Sequence, residues 1–212
     1  MDSLGHFMGT PQLLALAAAL GWVSGIRLYA AVFLVGASGY LGWIALPDGL
    51  QVLQHPGVLA ASGFMCFIEF FADKIPLIDS VWDTVHTFIR IPAGAALAAG
   101  ALGADGPAAA WIAAILGGTL AATSHATKLT TRAAVNTSPE PFSNIFVSLF
   151  EDGFVVFMLW LAATHPALFA IALVLSIVLA IVLLVVLVKF LRTVLRGLQR
   201  FLAGQGATQG NN

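Results

Sequence analysis

Charged residues are scarce in this sequence of 212 residues, of which Asp, Glu, Lys and Arg together make up only 9%. Soluble domains carry about 25% of these residues, and a water-soluble surface cannot be built without them. Hydrophobic residues account for 59% of the chain, and the mean hydropathy is +0.95. The composition therefore predicts an integral membrane protein.

Cysteine and basic residues are also few, and each shortage excludes a class of function. The single Cys66 rules out an intrachain disulfide, and its apolar surroundings favour a buried thiol over metal or redox chemistry. The basic residues form no patch interleaved with aromatics, so nucleic acid is not expected as a partner. No motif predicts a cofactor. Met1–Thr10 lacks Lys and Arg, which argues against a cleaved signal peptide.

Apolar stretches provide six candidate membrane segments, since a helix needs about 20 residues to cross a hydrocarbon core about 30 Å thick. The last contains 23 residues without a charge, whereas the third is too short to cross alone and needs help from Ile75–Arg90. The candidates are Pro11–Gly36, Pro56–Ala72, Ile91–Leu102, Pro107–Thr123, Phe142–Thr164 and Pro166–Val188. The lipid bilayer is thus the expected surrounding of most of the chain.

Proline and glycine mark the expected helix boundaries. Prolines stand at four predicted helix starts, where a missing N–H costs little: Pro11, Pro56, Pro107 and Pro166. Gly36, Gly103 and Gly153 are predicted turns or breaks. No alternation of two residues runs over ten positions, which argues against a β-barrel. The expected fold is an all-α polytopic membrane protein of about six transmembrane or half-membrane helices, with one domain over 1–203 and a disordered tail over 204–212.

Basic residues lie mostly on one predicted side of the membrane, and cytoplasmic segments retain Lys and Arg more than translocated ones. Only Arg27 falls inside a predicted span. The others are Lys74, Arg90, Lys128, Arg132, Lys189, Arg192, Arg196 and Arg200. This distribution predicts that both termini are cytoplasmic. The last four form a helical stripe that is typical of an anchor at anionic lipid headgroups.

A weak internal repeat relates two halves of the chain, residues 11–103 and 107–202. Phe71-Ala72-Asp73 aligns with Phe150-Glu151-Asp152, and Arg27 aligns with Lys128. The two alignments are offset by different numbers of residues, and the difference is about the length of one loop. Three segments per half would give the halves opposite orientations, as in many secondary transporters. Such short matches also arise by chance in an Ala-rich chain, so both explanations stay open.

Charge inside a span is the strongest functional signal, because a charged residue at the centre of a membrane helix costs about 2.5–3.5 kcal/mol. Arg27 follows Gly21 and Gly25, which would let the first helix kink or open. The alternative places Arg27 near an interface, with its side chain extended to water. A deep Arg27 needs a carboxylate, and the candidates within apolar segments are Glu69, Glu151 and Asp152. Such a pair would serve either a proton-coupled switch or structure alone.

A second polar group follows Pro76 and consists of Asp79, Asp83, His86 and Arg90. Spacings of four, three and four place these residues on one face of a helix. The favoured interpretation is an amphipathic helix at the membrane surface, held by acid–base pairs. A polar path lining the site is the alternative. A divalent metal wants more ligands than these provide, so a metal site stays undecided.

A third polar group consists of His125, Lys128 and Arg132, again at spacings of three and four. Together with neighbouring Ser and Thr residues it predicts a surface that suits anions, with an ordinary cytoplasmic loop as the alternative. The following segment contains Asn136, Glu140 and Asn144. Ser143 or Asn144 would cap the next helix, whose N–H groups would then point at an anionic ligand.

Four segments resemble the signature blocks of the membrane protein family called domain of unknown function 4126. They are Phe71–Pro76, Asp79–Asp83, Val85–Arg90 and Ala134–Asn144. The likeness covers nearly the whole chain up to the last span. It implies a small integral protein of the bacterial cytoplasmic (inner) membrane, and it supplies no assigned activity and no catalytic residue.

Buried charge, glycine-interrupted helices and the repeat favour a small secondary transporter or permease, coupled to protons or another ion, for a small solute. Its polar centre would contain Arg27, Glu69, Asp73, Glu151 and Asp152, and the second and third polar groups would line the access path. One alternative is a protein or enzyme that handles lipid headgroups through His86 and His125, although no catalytic motif supports this. Another is a structural or assembly subunit. Homo-oligomers are compatible with segments this short.

Overall fold

The computed structural model describes residues 9–75, 77–103, 106–137 and 141–209. These residues form six α-helices, with one 3₁₀ helix, Asp48–Gln54, between the first two. The α-helices are α1 (Thr10–Tyr40), α2 (Pro56–Ala72), α3 (Ile78–Leu102), α4 (Pro107–Val135), α5 (Pro141–Thr164) and α6 (Pro166–Gln209). The described ranges contain no β-strand, and the predicted all-α fold is confirmed.

Membrane-spanning length and composition are found in five of these helices, α1, α3, α4, α5 and α6. The 3₁₀ helix and α2 form a pair bent by 70°, which together are apolar and long enough to make a sixth span or a re-entrant loop. The expected count of about six transmembrane or half-membrane segments is therefore confirmed. As predicted, the short apolar stretch Ile91–Leu102 does not stand alone, because α3 begins upstream at Ile78.

The predicted proline positions are confirmed, since Pro11, Pro56, Pro107 and Pro166 all lie in the first turn of a helix. The glycine predictions are right only for Gly103, at the end of α3. Gly36 and Gly153 lie inside continuous helices, so the breaks predicted there are wrong. An isolated glycine costs a helix only about 1 kcal/mol, too little to end one that tertiary contacts hold.

Helix α1 is the centre of the bundle and contacts each of the other five helices. Its best membrane window is 67% buried, whereas that of α6 is only 6% buried. Gly21 and Gly25 allow the backbone of α1 to approach α4 closely at Gly117 and Ala121. Small residues commonly permit such packing between membrane helices. The bundle is therefore built around α1, and α6 presents most of its surface to lipid.

Helix α6 has 44 residues and is about 66 Å long at 1.5 Å per residue. It is therefore longer than the hydrocarbon core is thick, about 30 Å. Lys189 and Arg192 lie past its apolar first half, in agreement with an anchor at the membrane surface. The helix extends to Gln209, and residues 210–212 lie outside the described part. The predicted boundary between domain and tail stays a prediction, as does the internal repeat.

Candidate functional site

Ten charged side chains form one connected set of ion pairs inside the bundle, called here the charge network. The basic members are Arg27, Lys74, Arg90, Lys128 and Arg132. The acidic members are Glu69, Asp73, Asp83, Glu151 and Asp152. Five charges of each sign cancel when all are ionised. Such balance is what burial demands, because an unpaired charge inside a protein costs several kcal/mol.

The network borders the end of α2 and the last two turns of α4, and it reaches the middle of α1, α3 and α5 through Arg27, Arg90 and Glu151. Asp73 follows directly after α2 and sits at the centre. Its Oδ2 lies 2.8 Å from the Arg27 guanidinium and 2.6 Å from Lys128 Nζ, and Arg132 Nη2 lies 3.8 Å away. One carboxylate thus joins cations from α1 and α4.

Arg27 stands at a break in α1, where its backbone leaves the helical region with φ −143° and ψ 76°. Its side chain is 2% exposed, and its Nε lies 3.1 Å from Asp152 Oδ1. It also donates to Ser148 Oγ at 2.8 Å. The predicted kink is confirmed, and the alternative of a side chain extended to water is wrong because the bundle supplies the carboxylates instead.

Side chains of α4 bond the backbone carbonyls next to this break. Ser124 Oγ donates to Trp22 O at 2.7 Å, and Lys128 Nζ donates to Ile26 O at 3.1 Å. His125 Nδ1 lies 3.0 Å from Gly25 O. Carbonyl groups freed by a broken helix need such partners where water is excluded. Two members of the third polar group, His125 and Lys128, therefore bond the backbone at the break of α1 together with Ser124.

The second polar group faces the interior, and its interpretation as a helix at the membrane surface is wrong. Asp79, Asp83, His86 and Arg90 are all buried. Arg90 pairs with Glu69 of α2 and, at 2.8 Å, with Asp83, while Val85 and Phe88 on the other face are exposed. The spacing gave the correct face and the acid–base pair within it, but further partners lie on other helices, so the polar side points inward and the apolar side outward to lipid.

His86 joins a small aromatic group at the side of the network. Its Nε2 lies 3.1 Å from the Tyr29 hydroxyl, and its ring stacks on Trp82 with centroids 4.2 Å apart. Thr87 of the same helix bonds His125 Nε2 at 2.8 Å. These contacts connect the polar faces of α1, α3 and α4.

Lys128 and Arg132 lie inside α4 and are buried, so their interpretation as residues of an ordinary loop is wrong. Their charges face carboxylates: Arg132 Nη2 lies 2.8 Å from Glu151 Oε2, and Lys128 Nζ is 3.2 Å from Asp83 Oδ1. Arg90 was likewise counted as a loop residue in the topology prediction and is buried in α3. Which side of the membrane holds the termini stays a prediction.

A hydrogen-bonded chain of amides extends the network toward the α4–α5 connection. Asn136 Nδ2 donates to both carboxylate oxygens of Asp79, at 3.0 and 3.2 Å. Asn144 Nδ2 donates to Asn136 Oδ1 at 2.6 Å, and Arg132 donates to Asn144 Oδ1 at 3.3 Å. Asn144 lies in the first turn of α5 and is occupied by these contacts. Glu140 lies outside the described residues.

The accessible edge of the network is the pair of Lys74 and Asp152, 3.9 Å apart. Their side chains are 17% and 29% exposed, against at most 2% for the other four cations. Partial burial lowers the pKa of the Lys74 ammonium group, and Asp152 acts in the opposite direction. A proton or ion entering from this end of the bundle would meet this pair before the deeper charges.

Several network carboxylates keep unused capacity to accept a hydrogen. Glu69 Oε2, Asp73 Oδ1 and Asp83 Oδ2 are buried, and no donor among the described residues bonds them. In the described part of the chain, no group of three or more Asp, Glu, His or Cys residues has the arrangement of a metal site. These three oxygens can each accept a hydrogen from a protonated group or from water.

Among the cavities that the described residues form between the helices, two bear on the site. The first, about 540 Å³, is an open groove between α1, α2 and α3, and Tyr29 and His55 are among its few polar residues. The second, about 240 Å³, lies between α1, α4, α5 and α6. Lys128 and Glu151 of the charge network line the second cavity beside mostly apolar residues. The charge network therefore borders a space that a small molecule can fill.

Ser148 and Ser124 are site residues that the sequence reasoning missed. Ser148 bonds both Arg27 and Lys74, at 2.8 and 3.2 Å. It stands three residues before Glu151, so the helical spacing that grouped the other polar residues would have placed it on the same face. Ser124 carries no comparable signal, because its role depends on a carbonyl of another helix.

The sequence profile of a family described as "Domain of unknown function (DUF4126)" matches residues 14–186. The match includes all ten members of the charge network and agrees with the resemblance of the signature blocks. Comparison with curated proteins and with solved structures finds no match. The chain, a multi-pass helical membrane protein by its fold, belongs to the family called domain of unknown function 4126.

Proposed function

We propose that the protein is a small secondary transporter in which the charge network couples movement of a solute to movement of protons or another ion. One observation carries this proposal. Arg27 interrupts α1 and at the same time has three carboxylates within 4 Å, Asp73 from the end of α2 and Glu151 and Asp152 from α5. The break in the central helix is thus also the point where three carboxylates share one guanidinium group.

This arrangement supports transport through known physical behaviour of membrane proteins. Ionisable residues inside spans are expensive and mark ion or substrate pathways. Interrupted helices form the binding sites of many secondary transporters, because their free backbone groups meet ligands and ions. Protonation of Asp73 or Glu151 would weaken its hold on Arg27 and let the guanidinium pair elsewhere. Such an exchange of partners gives the break of α1 two arrangements.

The balance of charge weighs against the alternative of a protein that binds phosphate headgroups. The five basic members of the network all pair with carboxylates, so no surplus of positive charge is available there for an anion. A phosphate headgroup would therefore have to be bound by uncharged donors, the hydroxyl and amide groups of the site. The observed ion pairs support transport better, because Arg27 can exchange one carboxylate partner for another when a proton or ion binds.

Reconstitution into liposomes of phosphatidylethanolamine and phosphatidylglycerol tests the proposal. Currents on a solid-supported membrane are recorded after jumps in pH and in each member of a library of small organic cations, anions and neutral solutes. We expect a solute-dependent current for wild-type protein, and a loss of about tenfold or more in its rate with Arg27→Gln. Arg192→Gln is the matched control, since Arg192 is exposed on α6.

Two results would overturn the transporter assignment. One is the absence of any current from folded wild-type protein across the whole library. The other is an Arg27→Gln protein that elutes as a folded species and transports as fast as Arg192→Gln. Arg27→Lys, which keeps the charge, provides a second variant in case the amide replacement fails to fold.

A further inference from the structure

We infer that Glu69 binds the proton that is coupled to transport, so that the coupling ion is H⁺ and this carboxylate is its first site in the charge network. The inference rests on the proposed function and names its coupling ion. Glu69 stands in the last turn of α2 and is 0% exposed. Its Oε1 pairs with Arg90, whereas its Oε2 is buried and bonds no donor in the described part of the chain. Oε2 is therefore the atom to which a proton can be added.

The five carboxylates of the charge network differ in how many cations hold them. Glu69 has one cation within 4 Å among the described residues, Arg90. The other four have more, three each at Asp73 and Glu151 and two each at Asp83 and Asp152. A buried carboxylate with too few partners becomes neutral by taking up a proton, which removes the cost of burying its charge. Glu69 is therefore the member of the network that takes up a proton first.

A proton on Glu69 does not leave its partner Arg90 without a counter-charge. Arg90 Nη1 lies 2.8 Å from Asp83 Oδ1, so the guanidinium keeps one carboxylate when the other becomes neutral. The contact with Glu69 is also kept, because Oε1 can still accept from the guanidinium when the proton is on Oε2. Removal of the only partner of a buried charge is what destabilises a protein strongly, and that does not happen here. The proton can therefore bind and leave without unfolding the site.

Charged and titratable groups act on Glu69 from three other helices and from its own. They are Arg27 and Tyr29 of α1, Arg90 of α3, Lys128 of α4, and Cys66 and Asp73 in and next to α2. Arg27 and Lys128 are held by Asp73, at 2.8 and 2.6 Å. In the described part of the chain, neither of these two cations comes within 4 Å of the Glu69 carboxylate. Arg90 is therefore the one cation in contact that opposes a proton on Glu69.

Ion pairs connect Glu69 to the break of α1 in a row of alternating charge. Arg90 lies between Glu69 and Asp83. Lys128 Nζ lies 3.2 Å from the same oxygen of Asp83 and donates to Ile26 O at the break, at 3.1 Å. When Glu69 is neutral, the charge of Arg90 is balanced by Asp83 alone, and Asp83 holds Lys128 less strongly. Proton binding at Glu69 therefore changes the contacts that hold the break.

Infrared difference spectroscopy of the full chain in lipid nanodiscs tests proton binding. The buffer is exchanged between alkaline and mildly acidic pH, a range in which carboxylates in contact with water stay ionised. We expect the carbonyl band of a protonated carboxylic acid to appear in wild-type protein at the acidic pH. Glutamate labelled with carbon-13 at its side-chain carboxyl should shift this band. The sequence contains only three glutamates, Glu69, Glu140 and Glu151, so a shifted band has three possible carriers.

Matched amide variants assign the band to one glutamate. Glu69→Gln should remove it, whereas Glu140→Gln and Glu151→Gln should keep it, with melting temperatures that show which variants are folded. If Glu69→Gln does not fold, the other two variants still decide, because retention of the shifted band in both leaves Glu69 as its carrier.

Four results would overturn the inference. Wild-type protein could show no such band, or labelling could leave the band in place, which would assign it to an aspartate such as Asp83. Folded Glu69→Gln protein could keep the band, or either of the other glutamate variants could lose it. The first two results come from wild-type protein and do not depend on the folding of any variant.

Failure of this inference and failure of the transporter proposal are distinguishable. A solute-dependent current without the infrared band would remove the proton site and keep transport. The band at Glu69 without any current would keep the proton site and remove transport, and the coupling with it. Where both are present, a proton gradient should raise the rate of wild-type transport by about tenfold and that of Glu69→Gln by about twofold or less. Equal acceleration of the two proteins would overturn the coupling role of Glu69.

Discussion

Arg90 illustrates why single polar residues in this chain depend on distant partners. It is fully buried and pairs with Glu69, 21 positions earlier, and with Asp83, about two helix turns before it on α3. Desolvation of such ions consumes most of their mutual attraction, so the intact pair adds little net stability. Removal of one partner has a larger effect on stability, because the charge that it leaves behind stays buried and unpaired.

Arg90→Gln should therefore destabilise the protein by about 3–5 kcal/mol. The additional change Glu69→Gln should restore part of this loss, because it removes a carboxylate that no longer has a partner. Thermal unfolding in mild detergent measures both. Arg192→Gln, on the exposed stripe of α6, should stay within about 0.5 kcal/mol of wild type.

An Arg90→Gln protein as stable as Arg192→Gln would contradict this account of buried pairing. So would a double variant that is less stable than Arg90→Gln alone, because the unpaired Glu69 would then be contributing stability.

The sequence predicts which residues belong to the candidate site, because each charge inside a membrane segment has an insertion cost of its own. Arg27, Glu69, Glu151 and Asp152 stood out for this reason, and the structure brings all of them into one network. Their pairing could not be predicted, since partners such as Arg27 and Ser148 are 121 positions apart. Their role in transport stays a proposal.

At the scale of helices, prediction succeeded where the physical rule is local. Proline in a first turn depends only on the helix that it starts, and the four predicted starts were right. Gly36 and Gly153 look alike in sequence but differ in what faces them: Gly36 meets the backbone of Leu53, and nothing lies within 4 Å of a Cβ placed on Gly153. Spacing likewise gave the polar face of α3, while its inward direction depended on the neighbouring helices.

Close packing of α1 on α4 provides the prediction for this scale. A methyl group added at Gly25 would overlap Ser124 Oγ and the carbonyl of Ala121, and would lie 2.8 Å from His125 N. Gly25→Ala should therefore separate the two helices, destabilise the protein by about 1–3 kcal/mol and loosen the bonds that hold the break at Arg27. Melting temperature and amide hydrogen exchange over residues 20–30 measure the two effects.

Gly153→Ala is the matched control for this change. Its added methyl group meets nothing, and alanine is the better helix former, so the variant should be stabilised by about 0.5–1 kcal/mol. Equal melting temperatures for the two alanine variants would show that the α1–α4 contact does not require glycine.

For the whole molecule, the direction of the helices determines which end of the bundle holds the charge network. Asp73 and Lys74 lie in the α2–α3 connection and Arg132 lies near the α4–α5 connection, so this edge of the network is on the side of Leu77, while the α1–α2 connection with Trp43 is on the opposite side. The opposite connections contain no Lys or Arg. Burial of Arg90, Lys128 and Arg132 removes them from the loop count, yet Lys74 and the α6 stripe still favour a cytoplasmic position for the network end.

Labelling of intact cells with a membrane-impermeant maleimide tests this orientation. Cys66 is the only cysteine, so Cys66→Ser gives a background without thiols for Trp43→Cys and Leu77→Cys. The two positions are matched in exposure, at 73% and 71%. We expect Trp43→Cys to react in intact cells and Leu77→Cys to react only after permeabilisation. The reverse pattern would place the charge network and both termini outside, and equal labelling of both from outside would contradict their placement at opposite ends of the bundle.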